Sequence, residues 1–329
     1  MAKIKASRNK TIDTPLNEGE VWLNRCLRLN GWPQSLDAVL DKIILGDFFA
    51  TAPLLQPACA DLIVVDPPYN LTKSFNGTVF SKKNKADYEA YTRRWLSLLQ
   101  GLLKDTGSIY VCCDWQSSLF IGNVLADFFQ VRNRITWQRE KGRGAQANWK
   151  NSQEDIWFAT KSNAYIFNLD AVKMRRRVLA PYRAAGQPKD WQPTAGGNYR
   201  DTCPSNFWDD ITVPFWSMPE NTAHPTQKPE KLLAKIILAS SNPGDVVLDP
   251  FLGSASTSVA AKKLGRHYIG IEVEPQYCLW AEQRLAQAEA NPTIQGYADG
   301  VFWERNSLAE RQRLAISRSE RPCAFACFG

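Results

Sequence analysis

The stretch "DVVLDPFLGSASTSVAAKKLGRHYIGIEVEP", residues 245–275, reads as a strand, a small-residue turn, a helix and a second strand that ends in an acid. Val246 to Leu248 form an apolar run of the kind that a sheet covered on both faces requires. Gly253, Ser254 and Ala255 let a ligand approach the backbone, and a helix starting near Ser256 offers its N-terminus to an anionic group. Glu272 follows Gly253 by 19 residues, the spacing at which a carboxylate on the second strand reaches both ribose hydroxyls of a nucleotide-like ligand. A pyrophosphate prefers a turn with three glycines, whereas this one has Asp249 at the strand end. An acid there repels a diphosphate and attracts a cationic centre such as the amino or sulfonium group of S-adenosylmethionine.

Outward from this unit, strand and helix patterns alternate. Upstream lie "KIILGDFF", a strand ending at Gly46-Asp47, then "ADYEAYTRRWLSLLQGLL" as a helix, "GSIYVCCD" as a strand and "IGNVLADFF" as a helix. "VRNRITWQRE" and "SQEDIWFATKS" are further strand candidates, "KPEKLLAKIILASSNPGD" a helix, and "PQYCLWAEQRLAQAEA" a closing amphipathic helix. The alternation predicts parallel crossovers and a three-layer α/β fold. Residues 171–223 break it: glycines and prolines punctuate the segment and no period persists, which marks a long functional insertion.

"DLIVVDPPYNLTKSF", residues 61–75, begins as a buried strand and runs into an acid, two prolines, an aromatic and an amide. A strand stopped by a rigid turn would account for the prolines alone. If the strand end also faces a ligand, Asp66 accepts a hydrogen bond from an exocyclic amine, the Pro67 carbonyl accepts the other N–H, and Tyr69 offers a face to a flipped-out base. The prolines hold these acceptors in place beforehand.

With 44% hydrophobic and 22% charged residues in a chain of 329, composition is that of an ordinary soluble protein. No apolar run approaches the ~20 residues that span a bilayer, and the basic start "MAKIKASRNK" is followed by no apolar segment, so a cytoplasmic location is expected. The eight cysteines include no Cys-x-x-Cys pair, and His224 and His267 are the only histidines, so neither a disulfide scaffold nor a zinc site is expected. The net charge of +7 is concentrated: Arg132 to Arg200 holds fourteen Lys or Arg and five Asp or Glu, or +9, against −2 elsewhere. Seven Trp and Tyr residues are interleaved there, a composition that suits a polyanion with stackable bases and also fits a solvated basic face over core tryptophans.

"DPPYN", "HPTQKP" at 224–229 and "DPFLGSAST", in that order, resemble the DNA amino-methyltransferases of the beta group, common in bacterial restriction-modification systems. The likeness runs from about Lys42 to Leu285. It implies a Rossmann-like, S-adenosylmethionine-dependent methyltransferase sheet with an inserted target-recognition region. It also implies double-stranded DNA as substrate. A cognate restriction endonuclease and a homodimer are partners that the sequence leaves open, and no metal is needed because a sulfonium is already an activated electrophile. By the same resemblance Asp66, Pro67, Pro68 and Tyr69 form the target-amine site, with Asn70 adjoining. Asp249, Phe251, Gly253 and Ser254, with Asp66 as a shared residue, line the cofactor pocket, Glu272 holds the ribose, and Asp47 lies near the cofactor adenine. Thr226, Gln227 and Lys228 approach the methionine end, where the lysine would pair with the carboxylate. The family usually has a second glycine where this chain has Ala255, a methyl expected to tighten the pocket.

The resulting division is a flexible basic arm at 1–20, catalytic and cofactor halves at 21–170 and 224–290, a recognition region at 171–223 and an extension at 291–329. Arg139, Lys141, Arg143, Lys150, Arg175, Arg176 and Arg177 are the expected DNA contacts. In the family an Asp opening the catalytic motif usually goes with adenine N6 and a Ser with cytosine N4, so Asp66 favours adenine. Cytosine N4 methylation and a non-catalytic DNA-binding regulator are the alternatives, and RNA as substrate is not separated from DNA. A zinc-dependent deaminase lacks its His-x-Glu and Pro-Cys-x-x-Cys, and a nicotinamide dehydrogenase gives no reason for "DPPYN".

Overall fold

The computed structural model describes residues 6–70, 73–75, 78–80, 84–139, 147–178, 182–194, 197–305 and 307. They form two units, one of residues up to 168 with 206–295, the other of Leu169–Ser205 with the chain from Gly296.

The larger unit is built on an eight-stranded sheet: β1 (Lys42–Leu45), β2 (Ala60–Val65), β3 (Leu103–Cys113), β4 (Gln130–Gln138), β5 (Gln153–Thr160), β6 (Phe207–Trp208), β7 (Val246–Asp249) and β8 (His267–Glu272). Their order is β1-β8-β7-β2-β3-β5-β4-β6. The first five in that order are parallel, as expected. The expectation of parallel crossovers throughout fails at β5, which runs antiparallel to both β3 and β4. Among the described residues between β4 and β5 there is no helix, and a connection without a crossover returns the chain in the opposite direction.

Alternation along each strand builds the three layers. Ile63 and Val65 of β2 face one core with Ile109 and Val111, covered by helices α2 (Lys85–Leu102) and α3 (Trp115–Ala126) through Trp95, Leu96, Leu99 and Ile121. Leu62 and Val64 face the other core, covered by α4 (Glu230–Ser240), α5 (Ser256–Lys263) and α6 (Pro275–Ala290) through Leu232, Ile236, Val259 and Ala281. Asn84 and Asp114 start α2 and α3 as N-caps, their side chains accepting from Asp87 N at 2.8 Å and Ser117 N at 2.7 Å.

Three of the expected divisions change. The arm at 1–20 is not flexible where it is described: Ile12 is buried against Tyr277 and Trp280, and its backbone bonds Asn221 and Ala223. The segment 171–223 is not a single irregular insertion. Met174–Arg177, Gln192–Thr194 and Gly197–Thr202 are strands of a five-stranded sheet completed by Tyr297–Ala298 and Val301–Trp303, so residues 297–303 of the expected extension are part of this sheet. Tyr199 and Trp303, 5.5 Å apart edge to face, anchor its core with Val301. Strands of two to six residues, one of them paired with a partner more than a hundred residues away in the chain, leave no period to read. Residues 206–223 belong to the larger unit.

Candidate active site

Register lines up the chemistry. Leu45 of β1 is opposite Glu272 of β8, and Asp249 of β7 is opposite Gly270 of β8. Val247 and Leu248 of β7 pair with Leu62 and Ile63 of β2, whose chain leaves the sheet at Asp66. Four neighbouring parallel strands thus end with Asp47, Glu272, Asp249 and Asp66 at one edge, the side of an open α/β sheet where ligands bind. A cavity of about 270 Å³ opens there. It is lined by all thirteen residues expected for target and cofactor: Asp47, Asp66, Pro67, Pro68, Tyr69, Thr226, Gln227, Lys228, Asp249, Phe251, Gly253, Ser254 and Glu272.

At one end of the cavity the turn after β7 is held from two sides. Glu272 Oε2 accepts from Gly253 N at 2.7 Å and its Oε1 from Glu274 N at 2.8 Å. Desolvation pushes the Glu272 carboxyl up to about 6, against these stabilising N–H groups. Asp249 accepts from Phe251 N at 3.1 Å, and burial pushes its carboxyl up to about 7, with Asp66 and Glu272 adding repulsion. Gly253 sits at φ +54°, and an added Cβ would stand 3.1 Å from His224 Nε2. His224 is neutral, its pKa pushed down to about 3 by burial and by Lys228; its Nδ1 accepts from Thr226 N at 3.3 Å and its ring packs edge-on against Tyr277. Ala255 also has positive φ, +62°, but its methyl joins the apolar cluster of Leu252, Val259 and Ala260 and does not tighten the cavity. Phe48 and Phe49 of α1 (Phe48–Thr51), Tyr91 and Phe251 add an aromatic wall, with Phe48 and Phe251 5.5 Å apart. Asp47 caps α1, accepting from Ala50 N at 3.1 Å.

At the other end, Lys228 overturns its expected place. Its Nζ lies 2.7 Å from both oxygens of Asp66, donates to the Tyr69 hydroxyl at 3.1 Å and stands 3.3 Å from Glu154 Oε2. It is committed to the "DPPY" loop, where burial opposes its charge but Asp66 and Glu154 outweigh that and raise its pKa. Tyr69 donates to Glu154 Oε2 at 3.3 Å. The Pro68 carbonyl accepts from Tyr88 of α2 at 2.9 Å, so the helix fixes the loop. Gln227 lines the cavity but its amide is spent on its own loop, accepting from Thr222 N at 2.9 Å and donating to Glu220 O at 2.6 Å.

Glu154 was not read from the sequence. β5 runs antiparallel, so its first residues reach the edge where its neighbours end: Asp155 lies opposite Cys113. The signal was present as an acid in register with buried Ile156 and Phe158 on a core-facing strand. The expected DNA contacts differ in how far they are already paired. Arg139 is ion-paired with Glu154, not free for phosphate. Arg175 makes a two-pronged pair with Asp201, both contacts 2.7 Å, and Arg176 lies 3.7 Å from Glu304. Arg177 and Lys150 are exposed; Lys141 and Arg143 lie outside the described residues.

Residues 60–283 match the model of the DNA methylase family. The chain belongs to that family. It is 35% identical over 280 residues to the DNA adenine methyltransferase YhdJ of Escherichia coli, covering 83% of this chain and 92% of the relative. To the type II methyltransferase M.HpaI of Haemophilus parainfluenzae it is 34% identical over 247 residues, 74% of each. Among solved structures, the cytosine-N4-specific PvuII DNA methyltransferase matches 80% of this DNA methylase and 94% of its own chain at a TM-score of 0.57 and 16% identity. A putative DNA modification methylase of Thermus thermophilus, solved with S-adenosyl-L-methionine, matches 80% and 98% at 0.50 and 21%. These structures bear out the Rossmann-like methyltransferase fold. No described helix is long and apolar enough to cross a membrane.

Proposed function

We propose that this DNA methylase transfers a methyl group from S-adenosylmethionine to the N6 amino nitrogen of adenine in double-stranded DNA. The observation that carries the reading is the shared cavity. The Asp66–Tyr69 loop and the Asp249–Ser254 turn leave adjacent strands and face the same space. The names of the two relatives, adenine-specific in one case, support the choice of base.

The donor set fits the cofactor. Glu272 would take the ribose hydroxyls, and the wall of Phe48, Phe49, Tyr91 and Phe251 with Asp47 would take the adenine. The buried Asp249 carboxyl would face the cationic methionine end, and Thr226 and Ser254 beside the Gly253 turn would take its carboxylate, since Lys228 is engaged by Asp66. When bound, S-adenosylmethionine supplies a methyl already activated by its sulfonium. The protein's part is then orientation: Asp66 and the Pro67 carbonyl accept the two N–H groups of the target amine and turn its lone pair toward the methyl donor, while Tyr69 stacks on the base. A carboxylate also stabilises the positive charge that the amine gains as it attacks. Digesting DNA methylated in vitro to nucleosides and weighing them tests the reading. N6-methyladenine is expected, and N4-methylcytosine in its place overturns it.

A further inference from the structure

Glu154 stands apart from the three motifs and yet meets the reactive end of the cavity. It is 85 residues from Tyr69 in the chain, on β5, and only 6% of its side chain is exposed. Three donors converge on it: Arg139 on Oε1, and the Tyr69 hydroxyl and Lys228 on Oε2, each at 3.3 Å. Burial alone would raise the pKa of this carboxyl; Lys228 and Arg139 outweigh that and lower it, so it is ionised. Desolvating a carboxylate costs several kcal/mol, and an apolar side chain would fill a position flanked by Ile156 at no such cost. The acid must therefore act on its neighbours.

We propose that Glu154 is a positioning residue for methyl transfer, fixing Tyr69 and sharing Lys228 so that Asp66 can receive the target amine. The phenol of Tyr69 has one donor and one acceptor role. Lys228 fills the acceptor and Glu154 the donor, so the ring plane is set from both sides. Lys228 alone would tie up both oxygens of Asp66 and leave it a poor acceptor for an incoming N–H. With Glu154 as a second anionic partner the ammonium can release one Asp66 oxygen without becoming an unpaired buried charge. Arg139 balances Glu154, so two carboxylates face two cations and the cluster is neutral before the base enters.

This inference rests on the assignment of Asp66 and Tyr69 to the target amine. The test compares Glu154→Ala, Glu154→Gln and Asp66→Ala in the full chain. Steady-state methylation of plasmid DNA with radiolabelled methyl donor would be measured beside calorimetric titration with S-adenosylmethionine. Glu154→Ala is expected to lower kcat at least 30-fold while KM for DNA and cofactor affinity stay within threefold. Glu154→Gln keeps an acceptor for Tyr69 and loses the ionic hold on Lys228, so a five- to tenfold loss of kcat is expected. An unchanged kcat in either variant overturns the proposal, and the glutamine variant serves where the alanine variant does not fold. So does a loss of cofactor affinity equal to the loss of kcat, which would make Glu154 a support of the whole cavity. Turnover by Asp66→Ala would sink the underlying site assignment instead; an inactive Asp66→Ala beside a fully active Glu154→Ala would sink this inference alone.

Discussion

Replacing Glu272 by Gln separates its two tasks, holding the turn and holding the ribose. Its folded pKa of about 6 is above the ordinary 4.5, so the stability linked to its protonation is fully present below about 4.5 and lost as pH rises past 6. At pH 8 the free protein therefore carries a penalty of roughly 2 kcal/mol, from a shift of about 1.5 units at 1.36 kcal/mol each. Glutamine removes that penalty but places an NH₂ against one of the two backbone donors, Gly253 N or Glu274 N, and an orphaned donor costs about 1–3 kcal/mol. The two effects cancel to within about 1 kcal/mol, so the melting temperature should move little. Affinity should not be spared: a charge-assisted bond to a ribose hydroxyl is worth about 1.5–3 kcal/mol, or about 10- to 150-fold in Kd. In the wild type, affinity should also fall about tenfold between pH 8 and pH 5 from Glu272 alone, because about nine carboxyls in ten are protonated one unit below the pKa. The variant should lack that part of the pH dependence. Calorimetric titrations of both proteins at the two pH values measure all of this. Affinity of the variant within twofold of wild type at pH 8 would refute the assignment of Glu272 to the ribose.

Asp66→Ala should lower methyl transfer below detection with cofactor affinity kept within several-fold; because Lys228 keeps only Glu154 as ionic partner, thermal unfolding should show a loss of about 1–3 kcal/mol. Gly253→Ala should weaken cofactor binding and cost about 1–2 kcal/mol of stability, since a left-handed φ and the His224 ring both resist the methyl. Ala255→Gly, two residues on, trades about 1 kcal/mol of relieved strain against about 0.8 kcal/mol for a buried methyl, so stability and cofactor affinity should both stay unchanged, and a large shift in either would contradict the placement of that methyl. Arg177→Ala should reduce the salt dependence of DNA binding by about one unit of slope. Arg175→Ala should leave the slope alone and instead lower stability, because its guanidinium is already held by Asp201; an equal effect of both on the slope would show that the Asp201 pair opens on DNA.

What the sequence made legible was local. Each strand-end motif announced itself through an apolar run that stops at an acid, and parallel pairing brought Asp47, Asp66, Asp249 and Glu272 to one edge without further instruction. The partners of Lys228 were not legible, because they depend on which loop stands over which: Lys228 lies 162 residues from Asp66. Glu154 was hidden by strand direction, since only an antiparallel β5 delivers its start to the active edge. Arg139 looked like a phosphate contact because its basic neighbourhood was read as a whole, whereas ion pairing is decided one side chain at a time. The smaller sheet escaped notice because half of its pairing comes from residues 297–303, far outside the basic segment.

The cavity divides its charge between two ends, and the division bears on the choice of ligand. Around the "DPPY" loop the anions Asp66 and Glu154 face the cations Lys228 and Arg139, and the cluster is balanced. Beside the Gly253 turn, Asp249 and Glu272 are raised to about 7 and about 6, desolvation leading in both. Those two acids are costly to ionise until a cation joins them. At an effective dielectric near 20, a unit charge about 4 Å from another is worth about 4 kcal/mol, gained by a sulfonium or an ammonium and lost by a pyrophosphate. A dinucleotide would thus meet repulsion where this turn presents its acids, whereas a cationic methyl donor would ionise them and be held. The balanced end offers no such pull, which suits an adenine amine that arrives neutral and becomes positive only as it attacks.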